Sequence, residues 1–338
     1  MKIAFLNIYQ GAVNRGLETY VTELSKRLGK IHIVKVFGGH ETPKKRWPVL
    51  WRFYLDPHSL SVALYTIKLL PNIWKEKYNA VFALNGGWQP ALIRLITWLY
   101  GGKMIIPGQS GIGWDDRNNL WSFPDSFVAL STFAAKWANK ANPFVNVDII
   151  PNGVDLDKFK PVGKKYTTSL KDPIIVCQGA LELSKRLDLT IRAVGKLKRV
   201  SLILVGGGSL KEELFTLGKK TLGDNFEIVE VPHNKMPDIY RLGKVFTLPS
   251  WSSEAFGIAY VEAMATNLPV VATDDPVRRE IVGNAGIFVE PENTKDYSQA
   301  LRDAINKNWK DLPRKQAEKF SWDNIGEKYE TLFQKLTK

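Results

Sequence analysis

Residues 249–274 read PSWSSEAFGIAYVEAMATNLPVVATD. Pro249 and Ser250 end an apolar run that reads as a strand. Phe256-Gly257 then opens a helical stretch that runs to about Ala265. Free backbone N–H groups at a helix start, beside a glycine that lets a ligand approach, make an anion site suited to a diphosphate. Glu254 lies just before that helix, and Glu262 lies in its second turn. A carboxylate at Glu262 is placed to accept hydrogen bonds from a ribose diol, so the segment can hold a nucleotide sugar. Two carboxylates at this spacing are equally a loop glutamate and a helix-surface glutamate, and the segment alone leaves both open.

The elements that must position these residues alternate along the chain. KIAFLN, IHIVKVF, AVFALN (80–85), KMIIP (103–107), SFVALS (126–131) and VDIIP (147–151) read as strands. Amphipathic stretches lie between them. In LETYVTELSKRLG, Leu17, Tyr20, Val21, Leu24 and Leu28 recur at helical spacing. PNGVD (151–155) is a turn cluster, and the polar stretch from Lys158 to Asp172 reads as a connector. The pattern then restarts with PIIVCQG (173–179), RLDLTIRAVGKL (186–197), SLILVG (201–206), FEIVEV, VFTLPS and PVVAT. This alternation predicts an α/β fold of two doubly wound, Rossmann-like domains, residues 1–155 and 156–320. Ligands of such sheets bind at the carboxyl ends of the strands. The cleft between two facing domains is the expected site.

Composition narrows the function classes. The chain has 338 residues, 44% hydrophobic and 24% charged, which is globular composition. A single cysteine, Cys177, excludes an internal disulfide framework, and with four histidines a Cys/His zinc site is disfavoured. No signal peptide and no spanning helix is predicted, so the expected location is cytoplasmic. The net charge is +13. Its excess is concentrated in residues 26–77, with 11 basic and 3 acidic residues. There Trp47, Trp51, Phe53, Tyr54, Tyr65 and Trp74 interleave with Lys44, Lys45, Arg46, Arg52, Lys68, Lys75 and Lys77. Basic residues favour phosphate-rich partners, and Trp and Tyr favour the boundary between water and an apolar phase. Residues 26–77 therefore suggest peripheral contact with an anionic membrane on its cytoplasmic face, against the alternative of a solvated basic face over core aromatics. No nucleic-acid-binding signature accompanies the charge.

The segment around Glu254 resembles the donor motif of retaining glycosyltransferases of family 4, glycosyl transferases group 1, which adopt the GT-B fold. The pattern P-S-x-x-E-x-F-G, then E-A-M-A, then G-x-P-V-V-A is matched by Pro249, Ser250, Glu254, Phe256, Gly257, Glu262, Ala263, Met264, Ala265, Pro269, Val270 and Val271. Asn267 replaces the last motif's glycine. The resemblance covers most of the chain. PNGVDLDKF (151–159) resembles the interdomain segment, with Asn152 and Gly153 in its turn and Asp155 capping the next. LILVGGGSLKEEL (202–214) resembles the turn beneath the nucleotide base, kept open by Gly206, Gly207 and Gly208. FSWDNIGEKYETLFQKL (320–336) resembles the terminal helix that packs back on the N-terminal domain. Arg15-Gly16-Leu17-Glu18-Thr19-Tyr20 aligns with G-G-x-E-x-Y, a loop near donor phosphates and acceptor, with Arg15 in the place of the first glycine. Arg15 at a helix start meets a phosphate or is a surface arginine.

Two departures qualify the resemblance. The family's phosphate-binding arginine and lysine align with Ala180 and Lys185, so the arginine is absent. Lys185 can still face the leaving diphosphate as a point charge, and Arg186 follows it. The family's N-domain histidine is also absent from PGQSGIGWDDRNNLW (107–121). Gln109 or Ser110 takes its place, and Asp115-Asp116 follows as a sugar or acceptor contact or as a helix N-cap. Asn85 ends another strand on the same side. His32, His40, His58 and His233 read as surface or core residues.

The resemblance implies transfer of a sugar, with retention, from a nucleotide-diphosphate sugar to a hydroxyl of a glycan or lipid-linked acceptor. Lys185, Arg186 and the amides near Phe256, Gly257 and Ile258 would stabilise the departing diphosphate. Glu254 would contact the sugar and Glu262 the ribose. Gly16 and Gly206 would line the donor, and Arg15, Asn85, Gln109, Ser110 and Asp115 the acceptor or sugar. No cofactor and no metal is expected, since Asp115-Asp116 and Asp274-Asp275 are adjacent pairs without a matching acidic cluster. The competing readings are a GT-B nucleotide-sugar epimerase and a catalytically weakened nucleotide-sugar-binding protein.

Overall fold

The computed structural model describes residues 1–13, 16–42, 44 and 46–337. They form two compact units. One holds residues 1–152 and the segment from Trp322 on, the other residues 153–321.

The first unit is built on a six-stranded parallel sheet. Its strands are β1 (Lys2–Asn7), β2 (Ile33–Gly38), β3 (Ala80–Ala83), β4 (Lys103–Pro107), β5 (Ser126–Ala129) and β6 (Val147–Ile149), in the order β2-β1-β3-β4-β5-β6. Between them run α1 (Gly16–Leu28), α2 (Pro57–Glu76), α3 (Trp88–Tyr100), α4 (Trp114–Leu120) and α5 (Thr132–Ala141). Ile3, Ala4, Phe5 and Leu6 are wholly buried because both faces of β1 are covered, which is why the strand is a continuous apolar run. The β1–β3 register sets Phe5 beside Phe82, and their rings stack at 4.3 Å. Helix α2 starts where Asp56 accepts from Ser59 N at 3.2 Å and Pro57 takes the first position.

The second unit repeats the plan with β7 (Ile174–Gln178), β8 (Ser201–Val205), β9 (Phe226–Val229), β10 (Val245–Leu248), β11 (Val270–Thr273) and β12 (Gly286–Val289), ordered β12-β11-β10-β7-β8-β9. Its helices are α6 (Leu187–Val194), α7 (Lys211–Leu222), α8 (Met236–Tyr240), α9 (Ile258–Ala265), α10 (Pro276–Val282), α11 (Thr294–Asn306) and α12 (Leu312–Glu318). Strand β12 is absent from the sequence reading. It is a four-residue edge strand, GIFV, in which only Val289 is buried. Residues 158–172 carry no helix or strand.

Helix α13 (Trp322–Thr337) belongs to the first unit. Its Trp322, Ile325, Tyr329, Leu332 and Phe333 share one apolar core with Ile3, Phe5, Tyr20 and Phe82. The Tyr20 and Tyr329 hydroxyls lie 2.7 Å apart inside it. The sequence expectation of two doubly wound α/β halves holds for both sheets.

Candidate functional site

In the second sheet the strand order reverses at β7, which lies between β10 and β8. The loops leaving the carboxyl ends of β7 and β10 therefore diverge over the switch point, where ligands of such sheets bind. The loop after β7 carries Gly179 to Arg186, and the loop after β10 carries Ser250 to Gly257.

Glycines let the β7 and β8 loops close on each other. A Cβ on Gly206, whose φ is +147°, would stand 2.1 Å from Gly179 O. A Cβ on Gly208, at φ +157°, would stand 2.5 Å from Leu181 O. Leu181 N donates to Gly207 O at 3.0 Å across the same contact. The glycine run thus serves backbone-to-backbone closure as much as the open turn expected from the sequence.

Lys185 ends a single 3-10 turn, and its ammonium rests on Glu254 Oε2. Both side chains are about four-fifths buried, at 22% and 19% exposure. Arg186 adopts a left-handed conformation, φ 49°. Its Nε donates to Pro249 O at 2.7 Å and its Nη2 to Ser250 O at 3.3 Å, while Nη1 lies 3.2 Å from Glu292 Oε1. It ties the β7 loop to the end of β10. Ala180 is exposed where the family pattern has arginine.

The Glu254 loop is pinned from below by a residue the sequence gives no reason to choose. Arg278, on α10, is fully buried. Its Nη1 donates to Glu254 O at 2.9 Å and its Nη2 to Trp251 O at 2.6 Å, and Nε lies 3.2 Å from Asp275 Oδ2. Gly257 (φ +80°) turns the chain into α9, where a Cβ would meet the Tyr260 ring at 2.6 Å. Phe256 is buried against Phe320, with ring centroids 5.8 Å apart. Ile258 is the first residue of α9.

Glu262 points inward from α9 and is 4% exposed, so it is not a helix-surface glutamate. His233 Nε2 lies 2.6 Å from its Oε1, and Tyr240 Oη donates to its Oε2 at 3.1 Å. His233, read from the sequence as a surface or core residue, is partly exposed and also bonds Glu262. The loop after β9 carries it onto Glu262, a contact made only in three dimensions.

The first unit gathers its candidates at the carboxyl ends of β1, β3 and β4. Asn85 is buried. It accepts from Ile8 N at 3.0 Å and donates to Asn7 Oδ1 at 3.3 Å, so its amide joins two strand ends. Gln109 is paired both ways with Asn152, at 2.8 and 3.0 Å. Ser110 and Gly16 are exposed, and Arg15 lies outside the described residues. Asp115 and Asp116 do not cap α4. They sit inside its first turn, and Gly113 occupies the cap position.

Asp115 Oδ2 accepts from Arg46 Nη1 and Nη2, each at 3.1 Å. Burial, then the Asp115 charge, pushes the Tyr54 phenol up to about 12. Asp116 is buried under Gly108, and Asn119 donates to it at 3.2 Å. Burial is the main cause that raises its carboxyl to about 8, with the Asp115 charge adding and the bonds from Asn119 and Gly111 opposing. His58 also joins this end of the sheet, its Nδ1 2.9 Å from Tyr9 Oη, and burial and the Arg46 charge lower its pKa. His32 pairs with Glu330 at 2.9 Å.

The first unit also exposes much apolar surface. On α2, Leu60, Leu64 and Ile67 recur at three- and four-residue spacing, Trp74 follows two turns on, and all four are 46–60% exposed. Helix α3 packs beside α2 and exposes Leu95, Trp98 and Leu99, with Trp98 at 75%. Val49, Phe53 and Leu55 precede α2 and are also exposed. Lys68 and Lys75 flank the stripe on α2. The sequence signal in residues 26–77 stops short of the α3 part. Among the described residues no helix is long and apolar enough to cross a membrane, and no group of three or more His, Cys, Asp or Glu is placed to hold a metal ion.

Residues 160–321 match the family model glycosyl transferases group 1. The chain carries a glycosyl transferases group 1 domain. The match spans the second unit, with its glycine loops, Lys185, Glu254 and Glu262. Among curated relatives, the D-inositol 3-phosphate glycosyltransferase of Mycobacteroides abscessus is 27% identical over 206 residues, 56% of this chain and 46% of that protein. The chain thus spans about half the length of the D-inositol 3-phosphate glycosyltransferases it matches. The GDP-mannose-dependent alpha-(1-6)-phosphatidylinositol monomannoside mannosyltransferase of Mycolicibacterium smegmatis is 28% identical, over 86% of this chain and 85% of that one. Among solved structures, sucrose-phosphate synthase from Thermosynechococcus elongatus superposes with a TM-score of 0.79 at 18% identity, covering 99% of both chains. Anabaena HepE in complex with UDP-glucose gives 0.76 at 17% identity, covering 98% of this chain and 99% of that one. These likenesses identify the fold as GT-B.

Proposed function

We propose that the protein is a retaining glycosyltransferase that moves a sugar from a nucleoside-diphosphate donor to a hydroxyl of a glycan or lipid-linked acceptor. The observation that carries this reading is the Lys185–Glu254 pair at the switch point of the second sheet, beside the start of α9 and one helical turn from the buried Glu262. Lys185 and the amides at Gly257 and Ile258 face the diphosphate, and Arg186 holds the turn between them. Glu254 contacts the sugar and Glu262 the ribose. The bond from the anomeric carbon to the phosphate oxygen breaks, and a bond to the acceptor oxygen forms on the same face. The acceptor's proton goes to the departing phosphate, so no protein base is required. Asp115 and the neighbouring Gln109 and Ser110 belong in this reading to the acceptor side.

Relatives support the choice of substrates. One is named for GDP-mannose and a phosphatidylinositol mannoside, and another was solved with UDP-glucose. The test is a screen of UDP-, GDP- and ADP-sugars by thermal shift, then labelled transfer to phosphoinositide and glycan acceptors with the product's anomeric configuration read by NMR. Inversion would overturn retention. Isomerised donor formed without acceptor would favour an epimerase, and binding without transfer a weakened binding protein.

We propose further that the protein docks on an anionic membrane. The exposed stripe on α2, the adjoining residues of α3 and the flanking lysines support this. Co-sedimentation with phosphatidylserine vesicles at low salt should be lost in Leu64→Glu and Trp98→Glu. Equal binding by these variants would remove the face from the proposal.

A further inference from the structure

Glu262 is held by two groups on the protein side, and the first is itself held. His233 Nδ1 lies 3.1 Å from Lys158 Nζ. An ammonium has donors and no acceptor, so Nδ1 must accept. The ring proton then sits on Nε2, which donates to Glu262 Oε1 at 2.6 Å. Lys158 thereby selects the one neutral tautomer of His233 that can bond the carboxylate. Phe159 lies under both partners of Glu262, its ring 5.6 Å from that of His233 and 6.1 Å from that of Tyr240. It is held in turn by Arg314, whose Nη1 donates to Phe159 O and to Ala265 O, each at 2.7 Å. The connector after residue 155 is thus fastened to the end of the helix that carries Glu262.

An ionised carboxylate has about four lone-pair sites, two on each oxygen. His233 fills one on Oε1, and Tyr240 fills one on Oε2. One site on each oxygen is left, and the two neighbouring hydroxyls of a ribose bring two donors. We infer that His233, fixed in its Nε2–H tautomer by Lys158, is a positioning residue that aims Glu262 at the ribose diol and so sets the preference for ribonucleoside over deoxyribonucleoside diphosphates. The inference rests on the donor reading of Glu262 proposed above. Without His233 the carboxyl torsion has a broad minimum, and a buried acceptor loses its partner.

Calorimetric titration with UDP, GDP and ADP, and with the 2′-deoxy form of each, tests this on wild type, His233→Leu, His233→Gln, Lys158→Met and Glu262→Ala. Wild type should prefer the ribose form of the nucleotide it binds by about tenfold or more. His233→Leu should lose most of that preference while its affinity for the 2′-deoxy form stays within about twofold. His233→Gln restores an N–H near the position of Nε2 and should recover much of it. Lys158→Met keeps the ring and should lower the preference in part, which preserves the test if His233→Leu does not fold. Equal losses for ribose and deoxyribose forms in His233→Leu would make the residue merely structural and overturn the inference. A wild type that binds none of the nucleotides, or binds both forms alike, would overturn the donor reading itself. So would a Glu262→Ala variant that keeps the preference.

Discussion

The ammonium of Lys185 rests directly on the carboxylate of Glu254. The cation assigned to the diphosphate and the carboxylate assigned to the sugar therefore neutralise each other when no donor is bound. A diphosphate must compete with Glu254 for Lys185. Glu254→Gln removes that competitor, so UDP or GDP should bind more tightly while transfer slows. Lys185→Ala should lower the transfer rate by about two to three orders of magnitude, the size expected for one lost electrostatic contact to a developing anion. Calorimetry of the nucleoside diphosphate and single-turnover transfer check both. Weaker nucleotide binding in Glu254→Gln would show that the pair does not compete with the donor.

Arg278 is the structural counterpart of that pair, since it holds two carbonyls of the Glu254 loop and faces Asp275. Arg278→Met leaves those groups buried and unpaired and should destabilise the second unit by about 3–5 kcal/mol. Arg278→Lys should recover little, because an ammonium cannot span the three partners as a planar fork does. Urea unfolding of the two variants measures this. A loss below about 1 kcal/mol would mean that the loop is held by other contacts.

These residues show where sequence reading reaches and where it stops. The strands were legible because a parallel sheet covered on both faces demands unbroken apolar runs, as in SLILV and VVAT. Glu254 and Glu262 are legible because they sit in one continuous motif, residues 249–274, whose resemblance to a family pattern separates them from an ordinary loop and helix pair. Arg278 did not, since it is followed at once by Arg279, which is 59% exposed, and the sequence does not say which of the two faces inward. His233 was equally silent. Its partners lie at positions 158 and 262, and only the fold brings them together.

Gly206 should not accept a side chain. Its φ of +147° is costly for any L residue, and the added carbon would overlap Gly179 O at 2.1 Å. Gly206→Ala should cost about 1–3 kcal/mol from backbone strain alone and displace the β7 loop from the β8 loop. The nucleotide-induced rise in melting temperature should fall with it. An unchanged thermal shift would show that the two loops need not meet for the donor to bind.

Asp116 gives a pH dependence with a defined sign. Its carboxyl keeps its proton in the folded protein up to about pH 8, against the ordinary aspartate value of 3.8. The folded state therefore binds the proton more tightly than the unfolded chain. The associated stability is complete below about pH 4 and is lost as the pH rises towards about 8. Asp116→Asn stays neutral throughout, so its melting temperature should gain on wild type steadily over that window, by roughly 5 °C or more at pH 8. A difference that does not change with pH would refute the raised carboxyl.

Helix α13 has a consequence for biosynthesis. Its Tyr329 and Phe333 fill the core beneath β1, yet the whole second unit is translated before them. On the ribosome the first sheet must wait, with Phe5, Tyr20 and Phe82 uncovered, until residues beyond 322 emerge. The unit that begins first is completed last. Premature termination just before Trp322 would release a chain whose later half is finished and whose earlier half exposes an apolar seam, a natural target for chaperones and proteases.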